Sequence, residues 1–205
     1  MVIPEGLTAQ QIGDRLEAAG LVSAAEFRPF LEDPASAVKL GVEGSSLEGY
    51  LFPETYRLPH GLGSAEVAKV MVDQFLGVWR EIEPRAREQG LSMRDVVILA
   101  SIVEKETAAP EERPLIASVF RNRLRRGMRL ETDPTVIYGI PDFDGNLRRR
   151  DLENAANPYN TYIIPGLPPG PIANPGSDAL HAVVDPAESE YLFFVSRNEI
   201  GRAHV

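Results

Sequence analysis

The sequence predicts an α+β fold in which long helices carry the chemistry, while short strands and rigid loops form the wall of a cleft. Apolar residues recur at the three-to-four-residue spacing of amphipathic helices over most of the chain. Strand-like patterns are few and short, at residues 2–6, where a strand ends in a turn, and at 191–195. Most residues from 165 to 176 are proline or glycine, which favours a stiff loop over a flexible linker.

The composition is that of an ordinary globular protein and excludes several kinds of site. The chain has 205 residues, no cysteine and a formal net charge of −9. Without cysteine there are no disulfides, thiolate metal sites or cysteine nucleophiles, and the three histidines are too far apart in sequence to suggest a metal site. The acidic balance argues against general nucleic-acid binding, although arginines concentrated at 121–150 allow one local basic surface. The longest apolar run is far shorter than the roughly 20 residues that span a membrane.

Residues 1–40 form the first predicted unit, a short strand followed by two helices. Thr8 is a good N-cap for the first helix, and Gln11 occupies the position of its capping-box partner. A second helix is predicted from 24 to 31, and an Asp-Pro pair ends it. A unit of this size buries too little apolar surface to be stable alone, so we expect it to pack on the rest of the chain.

The next segment, 41–62, is rich in glycine, proline and aromatic residues and is predicted to be irregular or to contain short strands. A helix of about 20 residues then follows, capped by Ser64 and ending near Gly90. Pro84 lies inside it and is expected to kink or divide it, because proline lacks a backbone hydrogen-bond donor.

The most apolar segment of the chain predicts a core helix that ends in two glutamates. Ser92 is its N-cap, with Asp95 as a weaker capping-box partner. The helix is apolar almost all round and ends with the Glu-Lys-Glu triplet at 104–106.

The remaining predicted elements are shorter. A helix is predicted over 110–127, and a short one starts at Asp133 and Pro134. After the proline- and glycine-rich loop, a helix is predicted from 177 to about 184, and residues 191–195 are predicted to be a buried strand.

Glu104 is the first candidate functional residue. A carboxylate at the end of so apolar a helix is costly to bury unless it is partnered or protonated, and Ala100 and Ser101 on the same face leave room beside it. An apolar setting raises the pKa of a glutamate, as a general acid at neutral pH requires. The alternative is a structural carboxylate paired with an arginine from 121–129. Glu106 lies about 200° further round the helix, so it faces elsewhere and is expected to be solvated or salt-bridged.

A second candidate is the Tyr-Asn-Thr-Tyr run at 159–162, which is followed by the stiff loop. Aromatic rings can stack on the apolar face of a sugar, and amides can pair with its hydroxyl or N-acetyl groups. The alternative is a well-packed surface loop. Glu48 and Glu54, in the aromatic segment, could line a cleft, whereas Thr132 and Asp133 are residue types more typical of helix caps.

Several blocks of the sequence, taken in order, resemble one known family. The blocks are 47–56, 100–107, 118–124, 130–139, 158–162, 166–172 and 174–176. They resemble the MltG (YceG-like) family of endolytic murein transglycosylases, over about residues 42–197. The first residues of the chain are similar to the end of the LysM-like region of that family.

The resemblance implies a partial LysM-like subdomain at 1–40 and a catalytic domain at 41–205 whose C-terminus is truncated. Such proteins are anchored in the bacterial inner membrane by a single N-terminal helix, expected to be absent from this sequence, and they face the cell wall. They cut the β-1,4 bond between MurNAc and GlcNAc within glycan strands without water, leaving a 1,6-anhydroMurNAc end. The expected partners are peptidoglycan strands and penicillin-binding-protein synthases, with termination of strand growth as the outcome. No cofactor or metal is expected.

The resemblance also implies roles for single residues, and it places the catalytic glutamate of the family on Glu104. One carboxyl would protonate the leaving oxygen and then act as base while the C6 hydroxyl of the sugar closes the ring. Hydrolytic glycosidases, by contrast, need two carboxylates. The role of Lys105 stays open. The residues expected around the sugar subsites are Glu48, Thr132, Asp133, Tyr138, Tyr159, Asn160, Thr161 and Tyr162.

Two other functions fit parts of the sequence. A glycan-binding or scaffold module without catalysis would hold the cell wall or a synthase, partly through residues 1–40. Aminodeoxychorismate lyase, an older label of the family, requires pyridoxal phosphate and a Schiff-base lysine. The chain has only Lys39, Lys69 and Lys105, and no phosphate-cradling loop lies near Lys105 in sequence, so this function is disfavoured.

Overall fold

The computed structural model describes residues 1–107 and 109–195, which are mostly helical with one small sheet. The sheet is an antiparallel pair, β1 (Val2–Ile3) with β2 (Glu54–Thr55), in which Val2 lies opposite Thr55. No helix in these ranges is both long and apolar enough to cross a membrane. The helices are α1 (Ala9–Ala18), α2 (Ala24–Glu32), α3 (Pro34–Leu40), α4 (Ser64–Glu88), α5 (Met93–Glu106), α6 (Arg113–Arg125), α7 (Asp133–Tyr138), α8 (Arg149–Leu152) and α9 (Ser177–Val184).

The N-terminal unit contains three helices where the sequence predicts two. Thr8 caps α1 through the predicted capping box, its hydroxyl accepting the N–H of Gln11 at 3.2 Å. The Asp-Pro pair that is expected to end α2 also starts α3. The Asp33 carboxylate accepts the N–H of Ala35 at 2.9 Å, and proline is well tolerated in the first turn of a helix. The same two residues therefore stop one helix and begin the next.

The N-terminal unit packs on the rest of the chain. β1 pairs with β2, α2 contacts α4, and the Leu47 N–H donates to the Leu31 carbonyl at 2.8 Å. The loop after β1 lies against residues 174–176, where the Gly6 N–H donates to the Asn174 carbonyl at 3.0 Å. This loop brings the N-terminal unit into contact with the last turn of α5.

The helix α4 runs unbroken through Pro84, so the predicted division of this helix is wrong. Ile82 and Ala86 are buried on either side of the proline, and their packing holds the helix together although one backbone donor is missing. The N-cap is Gly63, one residue before the predicted cap at Ser64.

The central helix of the core is α5, as its sequence predicts. Ser92 and Asp95 form the predicted capping box, with the Ser92 hydroxyl accepting the Asp95 N–H at 3.1 Å. Residues 96–103 are at most 1% exposed, and the helix packs against α4, α6, α7 and α9. Its last turn, 104–106, emerges where α6, α7 and α9 begin, so three helix starts surround its two glutamates.

Residues 191–195 do not form the predicted buried strand. Three of their apolar side chains are exposed, among them Phe193 at 71%, and no other part of the described chain pairs with them as a strand. A side chain of α6 holds the segment instead, since the Arg123 guanidinium donates to the Leu192 carbonyl at 2.7 Å. The expectation of a truncated C-terminus concerns the end of the chain, and residues 196–205 lie outside the described residues.

Candidate active site

Glu104, the catalytic residue expected from the sequence, lies in a buried ion pair. Its side chain is 6% exposed, and its Oε1 accepts from Nη2 of Arg113 at 2.8 Å. Its other oxygen accepts the backbone N–H of Gly176, at the start of α9, at 3.0 Å. Arg113 is itself 5% exposed and also pairs with Glu5 at 3.1 Å. Glu104 is thus paired with an arginine, but the arginine is Arg113 at the start of α6 and not one of those at 121–129 that the alternative names.

The surroundings of Glu104 act on its pKa in both directions. Burial raises the pKa of Glu104 above its ordinary value and the negative charge of Glu5 adds to the rise, while the Gly176 N–H and the Arg113 guanidinium oppose it only in part by favouring the charged form. The loop around Gly6 closes over the site, so that a Cβ added at Gly6 would lie 3.6 Å from the Glu104 Cγ. Lys105 holds this loop, its Nζ donating to the Gly6 carbonyl at 3.2 Å. Glu104 thus joins α5, α6, α9 and the N-terminal loop.

Glu106 faces a different part of the structure, as helix geometry predicts, but it is neither solvated nor salt-bridged. The Thr132 hydroxyl donates to its Oε1. Burial raises the pKa of Glu106 to about 7; the bond from Thr132 opposes the rise, and the negative charge of Asp133 adds to it. No cation in the described ranges contributes to this environment. Glu106 therefore titrates near neutral pH, as a general acid–base group must.

Three of the predicted sugar-site residues lie next to Glu106. Thr132 is the N-cap of α7, one residue before the predicted cap, and its hydroxyl binds Glu106 instead of the helix backbone. Asp133 accepts a hydrogen bond from the Tyr162 hydroxyl at 2.7 Å. Burial raises the pKa of Tyr162, so its phenol stays protonated and donates. Together with Glu106 these residues form what we term the Glu106 cluster.

Asn160 and Thr161 lie in the interior, which does not fit the sugar contacts predicted for them. Asn160 is fully buried, and its Nδ2 faces the backbone carbonyls of 151–154, the closest at 3.0 Å. Thr161 is also fully buried, and its hydroxyl accepts the Thr132 N–H at 3.1 Å. With their polar groups already bonded inside the protein, both side chains position the loop and the start of α7.

Glu48 and Tyr138 meet at the other end of α7. Glu48 is buried, and its two oxygens accept the Ala9 N–H at 3.0 and 3.1 Å, the Asn174 amide at 2.9 Å and the Tyr138 hydroxyl at 3.2 Å. Burial raises the pKa of Glu48 to about 7 in spite of these bonds. The ring of Tyr159 packs edge-on against that of Tyr138, with centroids 4.8 Å apart. The structure thus brings three predicted site residues together here.

Arg113, Asn174 and Gly176 build the site but are not singled out from the sequence. A Cβ added at Gly176 would lie 1.8 Å from a Glu5 carboxylate oxygen, so the loop approaches α9 this closely only because the residue is glycine. Asn174 lies two positions before Gly176, and its side-chain amide donates a hydrogen bond to Glu48. The Asn-Pro-Gly block was a usable signal for this loop, whereas nothing in the local sequence marks Arg113 as buried.

One further candidate residue lies outside the site. Glu54 is exposed in β2, where its carboxylate accepts the N–H of the next residue, Thr55, at 2.7 Å. Within 1–107 and 109–195, no three His, Cys, Asp or Glu side chains are grouped so that they could hold a metal ion.

Similarity to known proteins extends over the whole chain. A sequence model of the YceG-like family matches residues 1–205. The Bacillus subtilis (strain 168) protein named endolytic murein transglycosylase is 38% identical over 153 residues, which cover 74% of this chain and 42% of that protein. The protein of the same name from Streptococcus pneumoniae (strain D39) is 29% identical over 231 aligned positions, which cover 100% of this chain and 41% of that protein.

The fold is shared with a solved structure as well. The 2.6 Å crystal structure of a YceG-like protein from Listeria monocytogenes matches with a TM-score of 0.85 at 34% identity, covering 96% of this chain and 69% of that one. The chain spans less than half the length of the curated relatives that it matches. From the family match along its full length, the chain belongs to the YceG-like family.

Proposed function

We propose that this chain is the catalytic part of an endolytic murein transglycosylase, in which the carboxyl of Glu106 is first general acid and then general base. The observation that carries the proposal is a largely buried glutamate at the end of the most apolar helix, with a pKa raised to about 7. The relatives named endolytic murein transglycosylase supply the class of reaction. The substrate is then a peptidoglycan strand, cut at the β-1,4 bond between MurNAc and GlcNAc.

The preference for Glu106 over Glu104 departs from the sequence-based expectation and rests on the charge that each carboxyl meets. A general acid must carry its proton at the working pH and must reach the substrate. Both oxygens of Glu104 accept hydrogen bonds, one of them from the Arg113 guanidinium, and both members of that pair are at most 6% exposed. Glu106 and Glu104 are both partly exposed as whole residues, but Glu106 is held by a neutral hydroxyl. Glu104 is then a positioning residue for the end of α5.

One carboxyl suffices for the proposed reaction, because the nucleophile belongs to the substrate. Glu106 donates its proton to the glycosidic oxygen as the bond between that oxygen and C1 of MurNAc breaks. The carboxylate then takes the proton of the C6 hydroxyl of the same sugar, whose oxygen forms a new bond to C1. The products are a free 4-hydroxyl and a 1,6-anhydroMurNAc end, and Glu106 is protonated again. The water that a hydrolase activates with a second carboxylate has no part in these steps.

Among the predicted sugar-site residues, we propose that Asp133, Tyr138, Tyr159 and Tyr162 contact the glycan, because each of them is partly exposed. Their aromatic rings suit the apolar faces of sugars. Thr132 and Glu48 are buried and act through their neighbours instead. Thr132 binds Glu106, and Glu48 holds Tyr138.

Mass spectrometry of purified peptidoglycan tests the proposal with a matched pair of variants. The unmodified protein should produce fragments with anhydro ends, and Glu106→Gln should lose activity by at least ~10²–10⁴-fold, the usual contribution of general acid–base catalysis. Glu104→Gln makes the same chemical change two residues away and should keep most of the turnover that its folded fraction allows.

The opposite result would return the catalytic role to Glu104: a folded Glu104→Gln protein without turnover beside an active Glu106→Gln protein. Reducing ends in place of anhydro ends would show a hydrolase. Strand binding without new ends from any of the proteins would favour the scaffold module.

For the full-length protein we propose the cellular setting that the family implies: one N-terminal membrane anchor in the inner membrane, with this part facing the cell wall. There it would act beside penicillin-binding-protein synthases and end the growth of new strands. Co-purification of the full-length protein with a synthase from membranes tests this setting. Recovery in the soluble fraction after gentle lysis would contradict it.

A further inference from the structure

A cleft separates the N-terminal unit from α7 and lies outside the Glu106 cluster. Its volume is about 610 Å³, within the range of 300–1,000 Å³ that is common for ligand pockets. One wall belongs to α1 and α2, the other to α7 and the residues after it, and Glu48 borders both. The lining residues used below are Gln10, Asp14, Arg28, Glu48, Tyr138 and Phe143.

Glu48 makes this cleft a preformed feature of the fold. Its carboxyl binds the Ala9 N–H at the start of α1 and the Tyr138 hydroxyl at the end of α7, so it spans the two walls. The side-chain amide of Asn174, which belongs to a third segment, donates a hydrogen bond to the same carboxyl. The bonds from Ala9 and Asn174 are buried and the bond from Tyr138 is partly buried, so they are stronger than bonds in water and set the width of the cleft without a ligand.

The lining combines aromatic rings with polar groups that bind hydroxyls. Tyr138 and Phe143 are partly exposed on the α7 side, and Gln10 is exposed on the opposite side. Asp14 and Arg28 bridge α1 and α2 through an ion pair of 2.5 Å, so their charges offset each other. Apolar rings beside amide and carboxylate groups match a sugar, which has apolar faces and a rim of hydroxyls.

The cleft is connected to the Glu106 cluster by α7. Thr132, at the N-cap of this helix, binds Glu106, and Tyr138, its last residue, binds Glu48. The rise of an α-helix places these two residues about 9 Å apart along its axis, close to the length of a disaccharide. A glycan strand that extends from Glu106 by about one disaccharide in the direction of α7 would therefore reach the cleft.

We propose that this cleft is a distal glycan subsite, which binds part of the same strand whose bond is cut at Glu106. The inference rests on the proposed function and assigns the N-terminal unit a direct part in strand binding. A short oligomer that occupies only the Glu106 cluster does not reach this subsite, whereas a longer one does. Affinity should therefore increase with oligomer length until the cleft is filled.

Calorimetric titration with β-1,4-linked N-acetylglucosamine oligomers of increasing length tests the subsite. The titrations use Glu106→Gln protein, so that no strand is cut. The added pair Gln10→Ala and Phe143→Ala should weaken the binding of long oligomers by about tenfold, or 1.4 kcal/mol, and leave that of short ones unchanged. Val38→Ala removes an exposed apolar side chain from α3, outside the cleft, and is the matched control.

Equal affinity of the cleft variant and the control for long oligomers would overturn the proposal, as would an equal loss for short and long ones. Absence of binding by any oligomer would overturn it too. These outcomes are separate from a failure of the proposed function, which would show as a lack of anhydro ends from the active protein whatever the titrations give.

Discussion

Two glutamates on the last turn of α5 differ in the charge that they meet. Glu104 accepts from the Arg113 guanidinium and the Gly176 N–H, while Glu106 accepts from the Thr132 hydroxyl. The first arrangement offsets part of the cost of burying a carboxylate, although burial still raises the pKa of Glu104, and it ties three helices together. In the second arrangement burial raises the pKa of the Glu106 carboxyl to about 7. One helix end can in this way hold both the structural carboxylate and the catalytic one that we propose.

Replacing Arg113 with methionine should destabilise the protein strongly, because the change leaves the buried Glu104 carboxylate without its cation. Breaking a buried ion pair by removing one partner costs about 3–5 kcal/mol in the free energy of unfolding, and both side chains here are at most 6% exposed. Urea unfolding at pH 7 measures the loss. The Glu104→Gln/Arg113→Met double variant is the control and should lose less than the sum of the two single variants. Strictly additive losses would show that the two residues are not coupled.

Among the elements, α7 shows where local sequence stops determining structure. Its start is predictable to within one residue from an Asp-Pro pair, and the capping boxes of α1 and α5 are likewise visible in the sequence. Its ends, however, are held by the carboxyls of Glu106 and Glu48, which come from remote segments and leave no local pattern. The same limit explains the error at 191–195. A short continuous run of apolar and aromatic residues is typical of a buried strand, but a strand also needs a neighbour to pair with.

Replacing Thr132 with valine should shift the pH dependence of activity to higher pH. The Thr132 hydroxyl lowers the pKa of Glu106 by donating to it, and valine has a similar shape but no donor. With this bond removed, Glu106 keeps its proton to higher pH, so the alkaline limb of the pH–rate profile moves upward. Thr135→Val, on the same helix, removes a hydroxyl bonded to the Thr132 carbonyl and should leave the limb in place. If the alkaline limb of Thr132→Val stays at the same pH or moves to lower pH, that limb does not report the pKa of Glu106.

In the molecule as a whole, the N-terminal unit completes both ends of the candidate site. Glu5 pairs with Arg113 beside Glu104, and the Ala9 N–H binds Glu48. The size of the unit predicts that it packs on the rest of the chain, but not where, because Glu5 and Arg113 are 108 positions apart. The sequence could therefore nominate Glu104 and the Tyr-Asn-Thr-Tyr run. It could not show that Arg113 offsets the charge of Glu104, or that Asn160 and Thr161 in the middle of the run are buried.

Stability of the whole protein should fall as the pH rises toward neutrality, and Glu48 should account for part of the fall. Burial raises the pKa of Glu48 from 4.5 to about 7, so the folded chain binds a proton more tightly than the unfolded chain does. Between these two values the folded state holds more protons, and the free energy of unfolding therefore decreases with rising pH and levels off above about 7. A shift of this size corresponds to about 3 kcal/mol.

Urea unfolding at a series of pH values, for the unmodified protein and Glu48→Gln, measures this contribution. Glutamine keeps one oxygen to accept from Ala9 and Asn174, and its NH₂ can donate to the Tyr138 hydroxyl, but it does not titrate. Glu106 and Glu104 titrate in both proteins, so the difference between the two curves isolates Glu48. The curves should converge toward acid pH and separate as the pH approaches 7, with the variant falling less. Parallel curves would mean that Glu48 has the same proton affinity in the folded and unfolded chain, and that its buried bonds offset the whole cost of its charge.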